Sequence, residues 1–135
     1  MARVTVWLFV ECDDLTVEEI ADQIGLTPDK SWRIGDPRGK TGKTYQTNSW
    51  CLESISEVEE NPLTVGERLQ QSLDKVLRRI KSSGERFRNL ASKRTAGIYV
   101  GIFADENPAI RLKGATISAI AALGVDFELD LMTGK

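Results

Sequence analysis

Hydrophobic and polar residues alternate along four stretches of the chain in ways that predict β-strands. The first stretch, Arg3 to Glu11, and a later one, Ala96 to Ala104, are apolar at most positions, which is typical of strands buried on both faces. Ser49 to Ser54 and Val125 to Leu131 alternate apolar and polar residues. Each of these two strands is therefore predicted to bury one face and to expose the other.

Three other stretches repeat apolar residues at helical spacing. The first predicted helix begins after Thr16, which has the spacing of a capping box with Glu19, and it ends at Gly25. A long helix is predicted from Thr64 to Ile80, again starting with a capping-box spacing, and a short helix from Ala115 to Leu123. Both halves of the chain therefore contain the order strand, helix, strand, with the long helix between them.

This order of elements predicts an α+β fold. Two β-α-β units together form a ferredoxin-like domain, whose four-stranded, mainly antiparallel sheet has the first and third strands at its centre. The two strands with two apolar faces are the first and the third, as that layout requires. A chain of 135 residues with 41% hydrophobic residues suits one core, so we predict a single domain over residues 1–135.

The two predicted central strands carry aromatic residues on one face. These residues are Trp7, Phe9, Tyr99 and Phe103. Because right-handed crossover helices share one face of a sheet, something else must cover the aromatic face. The favoured interpretation is that the apolar stripe of the long helix packs over it, since such a stripe must be buried somewhere. The alternatives are a platform on which RNA bases stack and a contact with a second subunit.

The connection from Gly25 to Trp50 is the first candidate for a functional surface, because a long irregular connection in a compact domain is usually functional or disordered. Trp32 and Trp50 are expected to anchor it against the sheet. Between them lie four cations: Arg33, Arg38, Lys40 and Lys43. These cations could meet an acidic protein partner, and the simpler alternative is a solvated, mobile loop.

Several chemistries are disfavoured by missing residues. The chain has no histidine, the side chain most used for proton transfer near neutral pH. Its two Gly-Lys-Thr triplets lack the first glycine of a phosphate-binding loop, and a strand rather than a helix follows them. Two acidic groups, Asp13-Asp14 with Glu11 and Asp105-Glu106, could hold a hard cation, but adjacent acids at strand ends are more often turn formers. We therefore predict no catalytic residue, no cofactor and no metal.

Charge and cysteine content add little bias towards a partner. The net charge of -2 gives no global attraction to nucleic acid, and the stretch from Arg94 to Phe103 fits the RNA-recognition signature poorly. The first apolar run is too short to cross a membrane. Cys12 and Cys51 match no metal or redox spacing, so reduced structural thiols are expected. We predict a cytoplasmic protein that does not bind membranes, with nucleic acid disfavoured as its partner.

Four short motifs occur in the order of a known family. They are Ile24-Gly25-Leu26-Thr27-Pro28, Trp32-Arg33-x-Gly35, Ser49-Trp50-x-Leu52 and a C-terminal run from Ile120 to Asp130. With these motifs the chain resembles the bacterial domain of unknown function 4279 over nearly its whole length. The resemblance implies a small cytoplasmic bacterial protein without an assigned activity, and it supplies no catalytic residues. By analogy with small families whose members accompany secreted toxins, it also suggests an immunity protein.

The prediction from the sequence is a non-enzymatic domain that binds a protein partner. Its binding surface is expected at Trp32, Trp50 and the four cations between them, and a homodimer is a further option. Two alternatives come from other classes of protein. One is a single-stranded RNA-binding module that uses the aromatic face of the sheet, and the other is an enzyme that depends on carboxylates alone.

Overall fold

The computed structural model describes residues 1–133 and arranges them as a mixed five-stranded sheet with four α-helices. The strands are β1 (Ala2–Cys12), β2 (Lys30–Trp32), β3 (Asn48–Val58), β4 (Thr95–Phe103) and β5 (Asp126–Met132). The helices are α1 (Val17–Ile24), α2 (Pro62–Ile80), α3 (Gly84–Ala91) and α4 (Gly114–Leu123). The predicted α+β class is confirmed, while residues 134 and 135 of the predicted domain lie outside the described residues. None of the helices in the described residues is long and apolar enough to cross a membrane.

The strands lie in the order β2-β3-β1-β4-β5, with β1 at the centre. β1 is antiparallel to both β3 and β4, and β2 is antiparallel to β3. β5 is parallel to β4 and forms one edge of the sheet. The first and third predicted strands, β1 and β4, therefore lie side by side in the interior of the sheet.

The predicted ferredoxin-like layout with four mainly antiparallel strands differs from the observed sheet. That layout would place β3 beside β4, whereas β3 lies beside β1 and runs antiparallel to it. The cause is the connection after α1, which adds the extra strand β2 along the outer edge of β3 and reverses the chain. Only the second half makes a parallel crossover, in which α4 links β4 to β5.

Local hydrogen bonds explain why α1 begins and ends where the sequence predicts. The Thr16 hydroxyl accepts a hydrogen bond from the Glu19 N–H at 3.1 Å, and the Glu19 carboxylate accepts one from the Thr16 N–H at 3.0 Å. At the other end, Gly25 has a φ of +80°, and its N–H donates to the Ala21 carbonyl at 2.8 Å. Both predicted ends of this helix are confirmed.

The long helix α2 begins earlier than predicted and uses a different cap. The side-chain oxygen of Asn61 accepts hydrogen bonds from the N–H groups of Leu63 and Thr64, both at 3.0 Å. The Thr64 hydroxyl in turn accepts one from the Asn61 N–H at 3.2 Å. Asn61 is therefore the N-cap, and Thr64 completes the capping box from inside the helix. The prediction that Thr64 itself caps the helix, which rested on its spacing to Glu67, is wrong.

The core lies on one face of the sheet, where the helices pack. It contains the even-numbered residues of β1 together with the apolar stripe of α2, of which Leu69, Leu73 and Ile80 are at most 1% exposed. The favoured prediction, that this stripe covers the aromatic face, is therefore wrong. The aliphatic face needs the long helix, because the eight residues of α1 span only about 12 Å.

β5 is predicted to bury one face, yet all seven of its residues are exposed. Its apolar residues Phe127, Leu129 and Leu131 lie on the same side of the sheet as the helices, since Phe127 is in register with the buried Ile98 of β4. α4 leads into β5 but packs against α2 and α3. Within residues 1–133, β5 is therefore an edge strand that no other element covers.

Candidate binding site on the open face of the sheet

The side of the sheet away from the helices, termed the open face, carries the aromatic residues of β1 and β4. The strand register aligns four residues in one row across this face: Glu53, Trp7, Tyr99 and Glu128. Alternation along β1 buries its even-numbered residues, whereas its odd-numbered residues are partly or fully exposed. The aromatic residues of the odd positions are therefore available to solvent.

Four aromatic side chains lie next to one another on the open face. The ring centres of Trp7 and Tyr99 are 5.4 Å apart, and Trp7 meets the edge of Trp32 at 6.4 Å. Tyr45, from the connection between β2 and β3, stacks on Trp32 at 4.8 Å. Aromatic pairs of this kind contribute about 0.5–1.5 kcal/mol beyond the area that they bury. Trp7, Trp32, Tyr45 and Tyr99 thus hold one another in place and form the aromatic cluster.

A groove of about 360 Å³ lies beside the aromatic cluster, and Trp7, Trp32, Tyr99 and Phe9 contribute to its walls. Glycines of β4 make room for two of these rings. A Cβ atom at Gly97 would lie 3.2 Å from the Asp126 carbonyl oxygen and 3.4 Å from the Phe9 ring, and one at position 101 would lie 3.1 Å from the Tyr99 ring. The two glycines therefore allow the rings to lie close against the backbone of β4.

Carboxylates line the same groove. Glu11 comes from β1, and Asp126 and Glu128 come from β5. Asp130 accepts a hydrogen bond from the Tyr99 hydroxyl at 3.1 Å. Burial, followed by this hydrogen bond and the nearby negative charges, raises the pKa of Tyr99, so its phenol is neutral at physiological pH. The groove is therefore lined by aromatic rings from β1, β2 and β4 and by carboxylates from β5 and β1.

A lysine of the chain already lies over one ring of the aromatic cluster. The Lys30 ammonium is 4.8 Å from the centre of the Trp7 ring and 3.8 Å from the Glu53 carboxylate. That carboxylate also accepts a hydrogen bond from the Trp7 indole N–H at 2.6 Å. Glu53 thus holds the indole N–H of Trp7, and Lys30 makes a cation–π contact with the face of its ring.

The structure separates the two tryptophans that were predicted to anchor the connection. Trp32 belongs to the aromatic cluster, whereas Trp50 is fully buried on the helical side of the sheet. The Trp50 ring lies 5.9 Å from Phe87, and its indole N–H donates to the Leu26 carbonyl at 2.9 Å. Trp50 therefore fastens the start of the connection to the core, and only Trp32 faces the groove.

The four cations of the connection have different surroundings. Arg33 forms an ion pair with Glu18 of α1. The Arg38 guanidinium lies 5.7 Å from the centre of the Tyr45 ring. Arg38, Lys40 and Lys43 are all exposed and form no ion pair within residues 1–133. Arg33 therefore ties the connection to α1, whereas Arg38 contacts a ring within the connection itself.

The residues predicted as an RNA platform do not form one surface. Trp7, Phe9 and Tyr99 border the groove, but Phe103 lies four positions beyond Tyr99 on β4, or about 13 Å along the strand. The Arg3 guanidinium covers Phe103 instead, 5.9 Å from its ring centre. The structure thus brings three of the four aromatic residues together.

Sequence reasoning missed Tyr45 and the acidic residues of β5 as parts of this site. The alternation of β5 predicts a polar face for Asp126 and Glu128, but their place beside the aromatic rings depends on the parallel pairing of β5 with β4. The available signal was the helical crossover between these two strands, which favours parallel neighbours. Tyr45 lies in an irregular segment whose pattern predicts no position.

The groups with potential catalytic or metal chemistry are placed elsewhere or neutralised. Cys51 lies between Phe9 and Lys30 in the strand register, and its complete burial raises the pKa of its thiol to about 12. Asp14 is held by Arg94 at 2.8 Å. Within the described residues, no group of three or more acidic or cysteine side chains is arranged so that it could hold a metal ion.

The similarity of this chain to known proteins lies at the level of its family. No curated protein and no solved structure matches it. A family model with the description "Domain of unknown function (DUF4279)" matches residues 2–134, which is nearly the whole chain. The motifs from Ile24 to Asp130 that carried the resemblance are contained in that match. The chain belongs to the DUF4279 family.

Proposed function

We propose that the chain is a non-enzymatic domain that binds a protein partner, and that the groove on the open face receives a basic side chain of this partner. The observation that carries the proposal is that aromatic rings and carboxylates border one groove. Trp7 and Tyr99 supply the rings, while Asp126 and Glu128 supply the charges. Such a combination suits a lysine or arginine head group, through cation–π contact and charge pairing.

The size of these effects favours a protein over a small molecule as the ligand. A cation–π contact at an exposed site contributes about 0.5–1 kcal/mol, and an exposed ion pair contributes about 0.2–1 kcal/mol. One contact of each kind together gives about 0.7–2 kcal/mol, so a single basic side chain binds weakly, with a dissociation constant of tens to hundreds of millimolar. The groove is better suited to be one pocket within a wider contact.

The charge of the open face favours a protein partner over single-stranded RNA. Glu11, Asp126 and Glu128 would lie close to the phosphates of a stacked strand and repel them. The basic run from Lys75 to Arg94 belongs mainly to α2 and α3, in the layer on the other side of the sheet. Proteins that bind single strands combine stacking rings with a positively charged groove. Lys30 and Arg38 lie beside rings of the aromatic cluster, but carboxylates line the groove itself.

The geometry gives little support to a carboxylate-dependent enzyme. A general base or acid works best when its pKa is near the working pH. The pKa of Tyr99 is raised from its already high ordinary value. The pKa values of Asp14 and Asp29 are lowered by their hydrogen bonds to Arg94 and Arg79. Each of these groups therefore keeps one protonation state at neutral pH.

The proposal predicts that arginine amide binds at the groove. In an NMR titration, we expect saturable shifts of the indole N–H signals of Trp7 and Trp32, which border the groove. The Trp50 signal should not move, because this indole is buried and bonded to a backbone carbonyl. Glu128→Gln should weaken the binding, since it removes a charge without changing the shape of the side chain.

Glu57→Gln is the matched control for this titration. Glu57 of β3 is exposed on the open face, but it lies opposite Arg3 and away from the groove. Removal of its charge should therefore leave the binding of arginine amide unchanged. Equal shifts of all three indole signals, or shifts that Glu128→Gln does not reduce, would contradict the proposal. Tighter binding of glutamate amide than of arginine amide would also contradict it.

A further inference from the structure

β5 offers a free sheet edge next to the groove. It pairs with β4 on one side, and all seven of its residues are exposed. Within the described residues, no strand pairs with its other side. An exposed edge of this length is a template to which another extended chain can add through main-chain hydrogen bonds.

The helical side of this edge is apolar and uncovered. Phe127, Leu129 and Leu131 are 38%, 40% and 50% exposed. α4, which leads into β5, exposes Ile117 as well, and the chain has no charged residue from Gly114 to Val125. Apolar residues that are exposed together in this way mark a surface for a partner.

The other side of the same edge is acidic. Asp126, Glu128 and Asp130 alternate with the apolar residues and lie on the open face, in register with Gly97, Tyr99 and Gly101 of β4. A strand that pairs with β5 would place its own side chains directly beside these carboxylates, about 5 Å away. Basic side chains are favoured at those positions and acidic ones are disfavoured.

The acidic residues of β5 disfavour pairing of this edge with a second copy of the chain. Pairing of β5 with its own copy about a twofold axis would be antiparallel. It would bring one set of acidic residues opposite the identical set on the other copy, and like charges in that position are destabilising. The occupant that complements both sides of β5 is a different chain, with basic residues on one face and apolar residues on the other.

We infer that a protein partner adds to β5 as an extended strand in which basic and apolar side chains alternate. The inference rests on the proposed function, because the basic side chain beside Glu128 is the one that enters the groove. An added strand lies about 5 Å from β5 and about 10 Å from β4. A lysine or arginine at that position can therefore reach past Glu128 towards Tyr99.

Two synthetic peptides of equal composition test this inference. In the first, four arginines alternate with four valines, and in the second the four arginines precede the four valines. We expect the alternating peptide to bind at least about tenfold more tightly, because only it can pair both sides of β5 at once. Its binding should shift the backbone amide NMR signals of residues 126–132, and Glu128→Lys should weaken it about tenfold. Glu57→Lys, with the same charge change outside this edge, should alter it less than about twofold.

The outcomes separate this inference from the proposed function. Equal binding of the two peptides, together with specific binding of arginine amide at the groove, would overturn strand addition and leave the proposed function standing. Absence of both kinds of binding would overturn both. A dimer of the free protein in sedimentation analysis, with the amides of residues 126–132 protected from hydrogen exchange, would assign the edge to a second copy and overturn the inference.

Discussion

At the scale of single residues, side chains of the same type take different roles on the two faces of the sheet. Trp50 is in register with the buried Val10 and lies in the core. Trp32 is in register with Ser49 and lies on the open face, in contact with Trp7. The residue types alone predict that both tryptophans anchor the connection. They do not predict the face, because the three-residue strand β2 is too short to show an alternating pattern.

Asp29 fastens the same connection at another point. Its carboxylate accepts hydrogen bonds from the guanidinium of Arg79 on α2, one of them at 3.0 Å, and from the Glu53 N–H at 2.8 Å. The bond to Arg79 is the main cause of the lowered pKa of Asp29. The stability that Asp29 provides is therefore linked to pH.

We expect Asp29→Asn to lower the melting temperature at neutral pH and to have less effect in acid. A carboxyl whose pKa is lower in the folded protein stabilises it above the unfolded value of about 3.9, and this stability is lost as the pH falls through the folded value. Thermal unfolding of both proteins, followed by circular dichroism across this pH range, measures the effect. Asp22→Asn, on an exposed residue of α1, is the control with little change at any pH. A difference between wild type and Asp29→Asn that stays constant into acid would contradict this account.

At the scale of elements, the hydrophobic pattern predicts the four long strands and every α-helix of residues 1–133 except α3, but it predicts the ends of these elements less well. Strict two-residue alternation or two-faced apolar runs mark β1, β3, β4 and β5, and the caps of α1 follow from Thr16 and Gly25. The start of α2 was misplaced because two capping patterns overlap. Thr64 has the right spacing to a later glutamate, but Asn61 before a proline at the first helical position offers a better cap.

Asn61→Ala should destabilise the protein by about 1 kcal/mol, since it removes the acceptor for two backbone N–H groups at the start of α2. Asn61→Asp keeps an acceptor in the same place and should change the free energy of unfolding by only ~0.3 kcal/mol. Urea unfolding of both variants measures the difference. Equal stability of wild type and Asn61→Ala would show that the helix does not depend on this cap.

At the scale of the whole molecule, the layout of the sheet could not be predicted from the pattern of each element. Two-faced strands identify β1 and β4 as interior strands, which the structure bears out. The side on which β3 lies depends on the path of the connection from Gly25 to Trp50, which has no periodicity. The choice of face for α2 depends on how well the shorter helices cover the aliphatic side, and they are too short to do so. Because of these two errors, neither the open face nor the carboxylates at its border could be predicted from the sequence.

The central claim is that the aromatic cluster lies on an uncovered and negatively charged face. Line broadening of the three indole N–H signals by a cationic and an anionic nitroxide, compared at equal concentration, tests it most directly. We predict that the Trp7 and Trp32 signals broaden, more with the cationic probe than with the anionic one, and that the Trp50 signal broadens with neither. A Trp7 signal as well protected as that of Trp50, or one broadened more by the anionic probe, would contradict the claim.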